Sequence, residues 1–240
     1  MGHLDAVFRI FWYLKCALQN KRVARISFDP SIPEVDERLF NYFEVDHWRD
    51  FYPDAEEAIP DNVPTPRGRP IDMSCYVDAN HAGNMMNRRS HSGVLLYLCN
   101  TPVIWYSKRQ NTVEVSSFGS EFIALRVAEQ MIEALRYKLR SFGVPINGPT
   151  NVFCDDRSVV TNSTIPSSTL NRKHNAICYH KVREAQAARI VRIAWIEGEY
   201  NKADILTKTT LGTGRRYDLI NSIFEDECAV VFDESVAAEI

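Results

Sequence analysis

Four carboxylates stand at the ends of apolar or helical segments in this chain of 240 residues: Asp78 in "YVDANHAG", Glu121 in "SSFGSEF", Asp155 in "FCDDRS" and Asp204 in "NKADILTK". Singly, each has an ordinary explanation. Asp78 and Asp155 suit turns after strands, and Glu121 and Asp204 suit first helical turns, where the macrodipole favours acids. Gathered in one place they need more, because like charges near a core must be offset by cations or take up protons. Hard divalent ions with oxygen ligands, Mg²⁺ or Mn²⁺, are the natural partners. Two of them about 4 Å apart suit in-line displacement at a phosphodiester.

The elements that must position these acids follow an α/β pattern. "IDMSCYVD" (71–78) reads as a strand closed by Asp78, and "SGVLLYLCN" (92–100) and "PVIWYSKRQ" (102–110) read as a hairpin around Asn100. A long helix is expected over 118–142, with Ser116 or Ser117 as its cap and Gly143 and Pro145 ending it. Glu121 shares a helical stripe with Leu125, Ala128, Ile132, Leu135 and Leu139, so it points toward the sheet. A fourth strand over 151–155, a helix over about 170–189, a fifth strand over 190–196 and a short helix near Lys202 complete the pattern. Strands alternating with helices give a sheet with both faces covered, whose sites lie at carboxyl ends of strands. If the first and fourth strands are parallel neighbours, Asp78 and Asp155 meet there. Trp105, Tyr106 and Trp195 lie in strands and are expected in the core.

Before this pattern, residues 4–17 read as an amphipathic helix, and 28–70 form a Pro- and Asp-rich linker ending in "IPDNVPTPRGRP". The chain therefore divides into a connecting segment (1–70), a catalytic domain (71–212) and a tail (213–240). A hydrophobic content of 45% supports a substantial core. Neither a secretory leader nor a long apolar span is legible, so the expected setting is intracellular, without a membrane partner. The six cysteines are scattered singly, which favours free thiols over zinc sites or disulfides. A net charge of −3 excludes indiscriminate coating of nucleic acid, yet Lys108-Arg109 and Arg172-Lys173-His174 form local basic clusters.

The stretches "YVDANHAG", "RRSHSGVLLYL", "WYSKRQNTVEVSSFGSEFIAL", "FCDDRSVV", "KHNAICYHKVREA" and "ADILTK" resemble, in order and approximate spacing, the ribonuclease H domain of copia-type retrotransposon polyproteins. The resemblance implies a mixed five-stranded sheet of order 3-2-1-4-5 with helices on both faces. It also implies metal-dependent endonucleolytic hydrolysis of the RNA strand of RNA–DNA hybrids, beside a reverse transcriptase domain. The family's catalytic and metal-binding acids fall on Asp78, Glu121, Asp155 and Asp204. By the same resemblance Asp78 bridges two Mg²⁺ (or Mn²⁺) ions, Glu121 and Asp155 complete one coordination sphere, and Asp204 completes the other. Substrate contacts are expected from Lys108, Arg109, Arg172, Lys173 and His174, through phosphates and 2′-hydroxyls.

This chain departs from the family at Asp156, where an Asn is usual, and at Asn80 and Ala176, where Asp is frequent. "IEGEYNK" also lacks the loop histidine that some ribonucleases H place before the fourth acid. Asp156 is either a neighbour adding negative potential or the cap of a short helix. Two other readings compete: a catalytically silent nucleic-acid-binding or scaffolding remnant, and an integrase-like strand-transfer enzyme.

Overall fold

The computed structural model describes residues 22–23, 36–40, 45–170, 175–208 and 211–226. Its centre is a five-stranded sheet of β1 (Met73–Asn80), β2 (His91–Leu98), β3 (Thr101–Arg109), β4 (Thr150–Cys154) and β5 (Val191–Trp195). The spatial order is β3-β2-β1-β4-β5. The first three strands form an antiparallel meander, and β4 and β5 run parallel to β1. This is the ribonuclease H-like topology expected from the motifs.

The helices are α1 (Val45–Arg49), α2 (Ser117–Ser141), α3 (Arg157–Thr164), α4 (Ala176–Ala187), α5 (Asp204–Thr207) and α6 (Thr213–Ile223). α2 begins at the Ser116 cap, whose hydroxyl accepts from the Gly119 N–H, and ends before Gly143, where φ is +72°. Its buried stripe of Phe122, Leu125, Ala128 and Ile132 packs on Cys75, Val77, Val94, Leu96 and Val152. Alternation along the strands sends Tyr76, Leu95 and Tyr97 to the opposite face, against Ile205, Leu206 and Ile223. α2 and α4 thus cover one face, while α5 and α6 close part of the other.

Three expectations change. β1 continues two residues past Asp78, because Asp78, Ala79 and Asn80 still pair with Gly93, Ser92 and His91. On its other side the ladder with β4 stops at Val77 and Cys154, so Asp78 stands just past the point where β1 and β4 separate. Trp105 is not core: it is 69% exposed on β3, which among the described residues is an edge strand. Tyr106 and Trp195, by contrast, are partly buried against the α2-side core. The helix expected over 170–189 is observed as Ala176–Ala187. The helix expected over 4–17 lies outside the described residues.

The stretch expected to be a linker contains firm contacts. Glu57 accepts from Arg136 (2.7 and 3.0 Å) and from Arg140 (3.1 and 2.6 Å), both on α2. Arg183 of α4, fully buried, donates to Tyr52 Oη (3.1 Å), to the carbonyls of Asn162 and Ile165 (2.8 Å each) and to Ser168 Oγ (2.6 Å). Its guanidinium also lies 5.0 Å from the Trp48 ring centre. A guanidinium offers five fixed donors, so it can tie several chain segments at once.

Candidate active site

Each acid reaches the site by a different route. Asp78 comes from the split between β1 and β4 and is buried. Asp155 is the residue after β4, and Trp195 of β5 holds its backbone by donating the indole N–H to the Asp155 carbonyl at 3.0 Å. Asp204 opens α5 and is completely buried. Glu121, in the second turn of α2, approaches from the other side of the sheet. Its Oε1 accepts from the Ala79 N–H at 3.1 Å, and its buried Oε2 has no partner among the described residues.

Glycine makes the fourth approach possible. A Cβ on Gly93, the register partner of Asp78, would stand 2.6 Å from Thr207 Cγ2 and 3.1 Å from the Ala203 carbonyl. With no side chain there, α5 settles on β2 and Thr207 donates its hydroxyl to Asp78 Oδ2. Asn201, also fully buried, pins the entry to α5 by donating to the Val77 carbonyl at 2.9 Å and accepting from the Ala203 N–H at 3.1 Å.

Two groups result. Oxygens of Asp78, Asp155 and Asp204 lie within 4.8 Å of one another, and so do ligand atoms of Glu121, Cys154 and Asp155. Asp155, rather than Asp78, is the carboxylate common to both. A cavity of about 1190 Å³ on the Tyr76 and Tyr97 face is lined by none of the four acids.

The electrostatics record the crowding. Burial, followed by the charges of Asp155 and Asp204, pushes the Asp78 carboxyl up to about 6 against the pull of Thr207 and Lys208. Burial and the charges of Asp78 and Asp155 raise Glu121 well above the usual carboxylate range. Burial also raises Asp155. Carboxylates held at such cost in a hard-oxygen set fit divalent cations, and the free Glu121 Oε2 fits a ligand position.

Residues that the sequence reading did not single out complete the site. Lys208 Nζ lies 2.5 Å from Asp204 Oδ1 and 3.8 Å from Asp78 Oδ1, and Arg215 of α6 pairs with Asp204 Oδ2. The i,i+4 spacing of Asp204 and Lys208 was a legible signal. Arg215 lies in the segment taken as a tail and carried none.

The expected substrate contacts divide. Gly93 pairs with Asp78 on one side and Ser107 on the other, so Lys108 and Arg109 follow immediately beyond the row that contains Asp78, and both are exposed. Arg172, Lys173 and His174 lie outside the described residues. Asp156 is a cap: its Oδ1 accepts from the Ser158 and Val159 N–H groups at 2.8 and 3.0 Å.

Comparison with known proteins agrees with the motifs. The chain is 26% identical over 142 residues to the Retrovirus-related Pol polyprotein from transposon RE2 of Arabidopsis thaliana, covering 59% of this chain and 10% of that protein. Over 134 residues it is 31% identical to the Retrovirus-related Pol polyprotein from transposon TNT 1-94 of Nicotiana tabacum, covering 55% of this chain and 10% of that protein. A ribonuclease H domain of a retrotransposon polyprotein fits this chain. It spans about a tenth of the length of the curated relatives it matches. No family model matches. Among solved structures, LC11-RNase H1 in complex with RNA/DNA hybrid aligns with a TM-score of 0.46 at 17% identity, covering 57% of this chain and 94% of that one.

Proposed function

We propose that this ribonuclease H-like domain hydrolyses the RNA strand of RNA–DNA hybrids at the four-acid site, as the nuclease segment of a retrotransposon Pol polyprotein. The observation that carries the reading is the convergence of Asp78, Asp155 and Asp204 with Glu121 at the split between β1 and β4. Glu121 and Asp155 would hold one Mg²⁺ or Mn²⁺ ion, and Asp78, Asp155 and Asp204 a second. Bound there, such ions supply charge that activates water and steadies a leaving oxygen.

The chain's own residues do the rest. Thr207, donating to Asp78 Oδ2, fixes the orientation of that carboxylate. Trp195 holds the backbone at Asp155, and Asn201 holds the entry to the helix that Asp204 opens. Lys108 and Arg109, at the exposed end of β3, are placed to grip phosphates of a hybrid lying across the site. The same assignment extends to Arg172, Lys173 and His174 from sequence alone.

The test compares RNA–DNA hybrid, duplex RNA and duplex DNA with Mg²⁺, using the wild-type chain and Asp78→Asn. Selective cleavage of hybrid RNA, lost in Asp78→Asn, is expected. Cleavage or joining of duplex DNA would favour the strand-transfer reading, and binding without cleavage the silent one.

A further inference from the structure

Asp204 is fully buried, yet neither of its oxygens is free: Lys208 takes Oδ1 and Arg215 takes Oδ2. Arg215 also donates to the Gly198 carbonyl, on the loop between β5 and α5 that passes beside the Asp155 carboxylate. With all four acids ionised, as bound divalent ions would hold them, a charge of −4 faces two cations, leaving −2. Two divalent ions added to this set would turn it to +2, and like charge would then repel Arg215 and Lys208. An ion coordinated by Asp204 would compete for its oxygens with the guanidinium and ammonium already paired there.

Arg215 is poorly satisfied where it rests. Its Nε is buried and has no acceptor among the described residues, and its side chain is 37% exposed. A phosphate provides the parallel pair of acceptors that a guanidinium fork matches best. We propose, resting on the nuclease reading above, that Arg215 is a positioning residue with two stations. In the free protein it is parked on Asp204 as a stand-in cation. When the acids take up divalent ions, it swings outward and binds a backbone phosphate of the nucleic acid. α6, whose Ile223 packs on Leu95 and Tyr97 of the sheet, is thereby part of the substrate grip, and metal loading and phosphate binding favour one another because each removes the other's competitor.

The test measures binding, so it does not depend on turnover. Ca²⁺ and Mn²⁺ are titrated calorimetrically into wild-type, Arg215→Ala and Arg215→Lys chains, and an RNA–DNA hybrid is then bound in Ca²⁺ at several salt concentrations. Arg215→Ala is expected to tighten divalent binding by about tenfold, the scale of one competing charge-assisted contact. It is also expected to weaken hybrid binding and to lower the slope of log K against log salt by about one. Arg215→Lys should restore the slope. A purely bracing Arg215 would lower Tm in Arg215→Ala and leave both metal affinity and salt slope at wild-type values, which overturns the proposal. Failure of the wild-type chain to bind any divalent ion would instead overturn the nuclease reading on which it rests.

Discussion

Gly93 stands directly opposite Asp78 across the β1–β2 ladder, and the side chain it lacks is the space in which Thr207 reaches the Asp78 carboxylate. One absent methyl group therefore sets the distance between the first acid and the helix that carries the fourth. Gly93→Ala should push α5 off the sheet, since the Thr207 methyl and Ala203 carbonyl cannot both yield. Overpacking of this kind costs about 1–3 kcal/mol. Thermal unfolding should show that loss, and hybrid cleavage should fall far more than the stability change explains.

The adjacent aspartates should separate cleanly. Asp155→Asn is expected to abolish cleavage while leaving Tm unchanged or raised in metal-free buffer, because it removes one of the crowded charges. Asp156→Ala should keep metal binding and cost about 1 kcal/mol through loss of the α3 cap, whereas Asp156→Asn, still a good cap, should be nearly silent. Equal loss of activity in Asp155→Asn and Asp156→Asn would contradict the geometry.

Stability in the absence of metal should fall with rising pH. Burial pushes the Asp78 carboxyl up to about 6 in the fold, above the usual aspartate range. A raised folded pKa gives a contribution that is complete below the unfolded value and is lost as pH climbs through the folded one. At 1.36 kcal/mol per pKa unit the loss is on the order of 2 kcal/mol between pH 4 and pH 7. Tm measured in EDTA should decline across this window, and Mg²⁺ should flatten the decline by stabilising the ionised acids.

Glu129 offers a second titration away from the acids. Burial, with the nearby Glu133 carboxylate, pushes it up to about 8, even though Lys181 Nζ lies 3.5 Å away. By the same sign, stability from the neutral form disappears as pH rises through 8. Glu129→Gln should therefore raise Tm more at pH 9 than at pH 5, with hybrid cleavage unaltered.

Glu57 tests how far the folded unit extends toward the N-terminus. Arg136 is almost fully buried, and Glu57 supplies its carboxylate. Glu57→Ala leaves that guanidinium without its counter-charge, which in a buried pair costs about 3–5 kcal/mol. Urea unfolding should register this, and a chain trimmed to begin at residue 71 should lose at least as much. An unchanged midpoint in the trimmed chain would support a division at residue 71.

Much of this was legible because hydrophobic period and turn residues specify the strands and α2. Glu121 could be placed on the core-facing stripe by counting helical steps, and Ser116 and Gly143 marked the helix ends. What eluded the sequence were relations set by long-range packing. Trp105 reads as core because its strand is apolar, but among the described residues β3 is an edge, and strand pattern does not say which strand takes that place. Nothing around Glu57 or Tyr52 announces that Arg136 and Arg183 await them more than 75 residues later. Arg215 has no motif at all; it matters only because α6 turns back toward Asp204.

The chain order of these parts has a genetic consequence. β5, the last strand of the sheet, ends at Trp195, whereas Asp204, Thr207, Lys208 and Arg215 all follow it. A premature stop codon falling between positions 196 and 203 would leave every strand of the sheet, the three earlier acids and helices α2 to α4 encoded, while deleting the fourth acid together with both cations that neutralise it. In such a copy of the gene, the scaffold and its chemistry would part company at a single nonsense mutation.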